Sequence, residues 1–468
     1  MGSENAKLKN CMFTFTKGAS NSIISNLNIA NTKETTYGIF LNEVSNCVIT
    51  NCFINNTGAS SYAVCVANGA NYNNVTDNSL HAYGITYGHG TRSTPPLVLS
   101  GSHYNYIANN QISCDDANGI YLSSFSGGPL KGGNSNFNNI FNNTIKYNVL
   151  PTSWAYGIQL MGENNIVRQN KIIGAYFGIC GGIGSIILDN VIIDVAGADF
   201  NHPGVPVGGQ GGITSSANSV IRNNRIINAK IISTGAGITA SDNSVIEDNY
   251  VQVTTYGVGI QPQGSDITIK NNTVITNVGA GILNYKTQFF NLYVIDNNIT
   301  STSGVGVLVQ RLSAKQMPGN ITVTNNIINT SNRYAIDISE ADASMYYNTR
   351  GNRIIGDSQI RTPEGEYDPS KYNYEFGGKT YNISPDNYGD YINANGGLIS
   401  DIDDGDILNF SGEFSNKYIT LNKAVKITGT NPIFYNTTFE VRSNGVWIEK
   451  LTIKNNNSAR IHAWGILI

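Results

Sequence analysis

The stretch N-N-T-V-I-T-N-V-G-A-G-I-L-N, residues 271–284, decides the fold. An Asn pair leads into a β-branched run, and a Gly-Ile word follows a few residues later. The same two words recur as Asn142-Asn143-Thr144-Ile145 with Gly157-Ile158, and as Asn223-Asn224-Arg225-Ile226 with Gly237-Ile238. Starts of the Asn/Asp-Asn-x-Ile word fall near residues 51, 77, 109, 142, 169, 189, 223, 248, 271, 296, 325 and 351. Fixed-period self-similarity on this scale marks a solenoid or array. Each word is short, β-branched and bounded by Asn or Gly, so each reads as a strand of a few residues. One coil of two or three such strands cannot bury its own apolar face, but stacked coils can, Ile upon Ile. At the parallel-strand spacing of about 4.8 Å, some thirteen coils make a rod of about 60 Å. Asn suits the corners because it tolerates a left-handed backbone, and stacked Asn side chains can bond one another. Gly before Ile reads as either a sharp turn or a bare strip on the sheet.

Composition agrees with this all-β reading. Only 13% of the 468 residues are charged, net charge is −3, and Gly reaches 50. Without a basic run, a nucleic-acid partner has little electrostatic support. Cys11, Cys47, Cys52, Cys65, Cys114 and Cys180 include no CxxC pair, which argues against zinc. They are too sparse for a disulfide scaffold. One or two bridges remain compatible, and the compartment stays open. No signal peptide opens the chain, and no apolar run is long enough to span a membrane. Because residues 13–29 already read as repeat, Met1-Gly2-Ser3 is expected to be a start added to a piece of something longer.

The Asn-x-Ile…Gly-Ile repeat resembles the right-handed parallel β-helix of pectin-lyase-like proteins. Its Asn-rich, charge-poor form is similar to the adhesin-like surface proteins of methanogenic archaea. The resemblance implies an extracellular, cell-surface β-solenoid, with a polysaccharide or cell-surface glycan as partner. The expected organisation is a parallel β-helix over 1–361, a linker or cap over 362–400, and opening coils of a second, incomplete β-helix over 401–468. "KAVKITGTNPIF" and "VWIEKLTIKNNNSA" carry the second start, and the chain ends on a fresh Gly465-Ile466 word.

Alternation from the Gly-Ile word lists the outward face of that sheet. One column reads Phe40, Cys65, Tyr121, Gln159, Cys180, Thr214, Thr239, Gln261, Leu283, Leu308 and Asp337. The next includes Asn42, Ser123, Met161, Ser241, Gln263, Tyr285 and Ser339. Lyases of the resembled family carry calcium-binding acids and a Lys or Arg base on such a surface. These columns hold one carboxylate and no Lys or Arg. Chemistry, if any, is left to loops between the Asn word and the Gly-Ile word: 81–95, 113–118, 146–156 and 194–210. The first three fall on consecutive coils and would gather His89, Arg92, Asp115, Asp116 and Trp154. Gly88-His89-Gly90 and Asp115-Asp116 are similar to fragments of polygalacturonase-like hydrolases. Their order is reversed here and the family's Asn-Thr-Asp and Arg-Ile-Lys signatures are missing, so the match reads as chance.

The catalytic candidates are therefore Asp115, Asp116 and His89, weighed against a solvated turn. The ligand-binding candidates are Trp154, Tyr87, Arg92, Tyr121 and Gln159. Tyr156 reads as packing in a column with Tyr37, Tyr62, Phe177 and Tyr334. No cofactor is expected beyond calcium, for which Asp401, Asp403, Asp404 and Asp406 are candidates against a plain turn. His202 reads as loop, and His81, His103 and His462 form no metal spacing. Of the Asn-x-Ser/Thr sequons, Asn382 is expected to be more accessible than Asn142 or Asn271, read as ladder residues. The leading functional reading is a non-enzymatic adhesin-like module. The alternative is a polysaccharide hydrolase or lyase, and the third is a structural filament or sheath module.

Overall fold

The computed structural model describes residues 7–467 except 35–36, 59–60, 86–93, 125–129, 150, 152–154, 197–210, 232–234, 285–290, 311–318, 342–345, 364, 368–377, 444–445 and 455–465. His89, Tyr87, Arg92 and Trp154 lie outside the described residues, as do His202 and His462. The chain divides into two compact units, Met1–Thr349 with Ile354–Tyr367, and Arg350–Arg353 with Asp368–Ile468.

Among the described residues, the first unit is a right-handed parallel β-helix of three long sheets, with 14, 15 and 13 strands. One coil shows how it is built. Val245–Glu247 lies in the third sheet, Tyr250–Val253 in the Asn-word sheet, and Val258–Pro262 in the Gly-Ile sheet. Ile246 pairs with Ile221 and Ile269, Val251 with Ile226 and Val274, and Ile260 with Ile238 and Ile282. These side chains are fully buried. Burying each such aliphatic chain contributes roughly 1.5–3 kcal/mol. The apolar column is thus renewed on every coil, and it fixes the register.

The two members of the Asn pair do different things. The first takes the left-handed corner between the third sheet and the Asn-word sheet, at φ 54° in Asn223 and Asn271 and 57° in Asp248. The second turns inward and joins a hydrogen-bonded ladder running from Asn78 to Asn326. In each rung an amide nitrogen donates to the Oδ1 of the next coil's Asn. The same Oδ1 accepts the backbone N–H of the preceding Asn, as Asn224 does for Asn190 at 3.0 Å. A shorter ladder joins Asn73, Asn105, Asn138 and Asn165 at the opposite end of the third-sheet strands. Cys47 and Cys52 stand at the heads of the two ladders, their N–H groups bonded to Asn73 and Asn78. Asn142 and Asn271 are therefore not ladder residues, as expected above, but corner residues. Asn142 and Asn271 are both exposed, and the buried members of their pairs are Asn143 and Asn272.

Gly before Ile is the bare strip, not a sharp turn. A Cβ on Gly157 would stand 2.5 Å from Ile172 Cγ2 and 2.9 Å from the Gly178 carbonyl. The neighbouring coil and the Asn-word sheet leave no room for a side chain.

In the first unit, Gly365–Tyr367 pairs antiparallel with Gln359–Thr362. In the second unit, Thr380–Ile383, Ile407–Ser415 and Lys426–Tyr435 pair in parallel around Leu408, Phe410, Phe414, Phe434 and Phe439. The segment read as linker or cap, 362–400, supplies the strand Thr380–Ile383 and the buried Ile392 and Leu398 to this core. It belongs to the second unit from residue 368 onward. Among the described residues, no helix is long and apolar enough to cross a membrane.

Candidate functional site

Asp115 and Asp116 are not in a loop. Both lie in the strand Gln111–Asp116, which pairs with Ser79–Ile85 on one side and Thr144–Tyr147 on the other. The expectation of consecutive coils is met for these three strands. Alternation sends the two carboxyls to opposite faces. Asp115 is half-buried and accepts from Asn148 Nδ2 at 2.9 Å. Asp116 lies on the side of Cys114 and Tyr147. The Tyr147 hydroxyl, 2.7 Å from both the Ala117 and Tyr156 carbonyls, is pushed well up by burial, then by the Cys114 thiol and the charge of Asp116.

Tyr121 is not a surface ligand contact. It is 7% exposed and packs with Phe40, Cys65, Val98 and Leu130 on this part of the Gly-Ile sheet. Burial also raises its phenol. The outward column includes Val98 between Cys65 and Tyr121 and continues past Asp337 to Arg361. That arginine lies 3.6 Å from Asp337. Gln159 is half-buried, and its carbonyl accepts from Asn118 Nδ2 at 2.7 Å. Asn118 in turn accepts the Tyr156 N–H at 2.8 Å, so Gln159 supports a corner. Tyr156 is buried against Phe177, with centroids 4.9 Å apart.

The four aspartates of the second unit act as backbone acceptors or remain in the turn. Asp406 accepts the N–H groups of Lys379 and Asp403, both at 2.7 Å. Asp404 accepts that of Ala424 at 2.8 Å. Asp403 lies 3.7 Å from Lys423 Nζ, and Asp401 accepts from the Ser400 hydroxyl at 3.1 Å. Among the described residues, no group of three or more His, Cys, Asp or Glu is placed to hold a metal ion. All six cysteines are free, and Cys47, Cys52, Cys65 and Cys114 are buried.

An open groove of about 630 Å³ runs along the corner that follows the Asn-word sheet. Gly174, at φ 73°, lies in it, with Asn148 and Val149 from one coil and Asp194, Lys230 and Thr255 from others. The expected loop edge thus carries a concavity, though its Lys230 was not singled out in the sequence. Asp194 is also the acceptor of the Asn228 amide. Asp115 and Asp194 sit three strand steps apart, since the intervening strands are Thr144–Tyr147 and Lys171–Ile173. At about 4.8 Å per step this is about 14 Å. Paired carboxyls in glycoside hydrolysis stand roughly 5–9.5 Å apart.

The chain belongs to the right-handed β-helix region family, whose model matches residues 15–193 and 184–315. No curated protein matches it. Several solved structures are similar in fold. A PL6 family alginate lyase is 12% identical, with 97% of this chain and 70% of its own covered at a TM-score of 0.36. A periplasmic alginate epimerase is 13% identical, with 73% and 80% covered at 0.42. A surface adhesin of Streptococcus pneumoniae is 11% identical, with 79% and 87% covered at 0.37. The group spans enzymes and an adhesin.

Proposed function

We propose that the chain is a non-enzymatic, extracellular β-helical module that binds glycan along the corner groove. The groove is the observation that carries this reading. It sets an ammonium (Lys230), a carboxylate (Asp194), an amide (Asn148) and a hydroxyl (Thr255) along one shallow channel beside apolar Val149. Such spaced polar groups suit the hydroxyls and carboxylates of a sugar chain. Asp115 and the groove's Asp194 are too far apart to share one glycosidic bond. The fold supplies rigidity, and several modules in a longer surface protein would add avidity to a weak single site. The test is affinity electrophoresis of the chain, Asp194→Asn and Lys230→Ala through gels of acidic polysaccharides. Retardation of the parent chain, lost in the variants, supports the groove. Equal retardation of all three removes it.

A further inference from the structure

A second corner, between the Gly-Ile sheet and the third sheet, carries an unexpected column. Coil after coil, it is a left-handed position held by Asn, Gly or Asp: Asn21, Asn46, then Asn164, Gly184, Asn218, Asn243 and Asp266. On three consecutive coils it is Tyr72, Tyr104 and Phe137, at φ 59°, 57° and 57°. Bulky residues are rare in this conformation, and such strain persists where something other than local preference retains it. The rings are not buried as recompense, being 55%, 48% and 47% exposed. They stack in parallel, with centroids 5.1 Å apart and planes within 5° at both steps. Among the described residues, neither tyrosine hydroxyl has a partner. Beside them, Asn71 Oδ1 accepts the His103 N–H at 2.7 Å, and His103 Nδ1 accepts the Asn136 N–H at 3.1 Å. An accepting Nδ1 puts the ring proton on Nε2, where it can donate outward.

We infer that this ledge is a second binding site, for an uncharged polysaccharide laid along the helix axis. Its rings repeat at one coil per step, which fits a partner that itself repeats, as a sugar polymer does. Aromatic carbon meets the C–H faces of sugars, and the free phenols and the imidazole N–H meet their hydroxyls. The ledge sits on a different corner from the groove and does not depend on it.

The test uses the full chain and the triple variant Tyr72→Asn, Tyr104→Asn, Phe137→Asn. Asn occupies this corner at the same φ on the adjoining coils, so the variant keeps the backbone. Binding to arabinoxylan, galactomannan, mixed-linkage β-glucan and polygalacturonate is measured by affinity electrophoresis and calorimetry, with sedimentation velocity alongside. The expected result is that a neutral polymer binds the parent chain and binds the triple variant at least about tenfold more weakly. Where the parent chain also binds polygalacturonate, the triple variant should bind it as the parent does, which separates this site from the groove. The inference is overturned if no neutral polymer binds, if the triple variant binds unchanged, or if the substitutions alter only self-association.

Discussion

Replacing Asn224 by Ala should destabilise the rod far more than replacing its sequence neighbour Asn223. The Asn224 Oδ1 accepts from the Asn190 N–H at 3.0 Å and from Asn190 Nδ2 at 2.9 Å, and all three groups are buried. Alanine would leave the Asn190 backbone N–H and one of the two Asn190 Nδ2 hydrogens without an acceptor, the other hydrogen keeping the Val167 carbonyl at 2.9 Å. Each such buried orphan costs about 1–3 kcal/mol, so the expected loss is about 2–6 kcal/mol. Asn223 is exposed at φ 54°, and its amide reaches Asp189 Oδ1 at 2.6 Å across solvent. Alanine there incurs the left-handed backbone cost of about 1–2 kcal/mol. Glycine at 223 should be nearly neutral. Stacked coils need not unfold in one step, so native-state hydrogen exchange is the right assay. Protection in Ile186–Leu188, Val220–Arg222 and Val245–Glu247 should fall at least about 30-fold in Asn224→Ala. Equal loss in Asn223→Ala and Asn224→Ala would refute the division of labour within the Asn pair.

Other outcomes follow from the same geometry. Gly157→Ala forces a methyl against Ile172 and the Gly178 carbonyl, and should lower stability by about 1–3 kcal/mol in a denaturant titration. Glu366 has its carboxyl held below the usual range by the Tyr334 hydroxyl and the Arg333 and Arg361 guanidiniums. A lowered carboxyl stabilises above its unfolded value and loses that contribution as pH falls through the folded one. Amide exchange in Gln359–Thr362, corrected for its intrinsic pH dependence, should therefore speed up only below the ordinary carboxylate range, and Glu366→Gln should flatten the profile. Burial pushes the Cys65 and Cys114 thiols far up. A thiol reagent followed by peptide mapping should label Cys11 in the native chain and reach those two only after denaturation.

The repeat was legible because both its words carry a physical requirement. The corner needs a left-handed residue, and the strip needs the absence of a side chain. The strands of the third sheet, such as Val48–Thr50, were less so, since they run straight into the Asn pair without a word of their own. The coil at Leu97–Ser100 escaped the column because Pro96-Leu97 replaces Gly-Ile. Ser113–Asp116 looked like a loop because Asp disfavours strands, yet pairing on both sides overrides that preference. Tyr121 was placed on the correct face, but its packing with Leu130 is a tertiary contact that no local pattern announces. Tyr72, Tyr104 and Phe137 carry no Asn or Gly to mark their corner, and only the stacked geometry sets them beside one another.

The most direct test of the central claim is an incubation of the chain with neutral and acidic polysaccharides, with and without calcium, scoring both bound polymer and released oligosaccharide. Binding with no new reducing ends and no unsaturated products is the predicted result. Products that disappear in Asp115→Asn, Asp116→Asn or Asp194→Asn would contradict it and make the chain an enzyme.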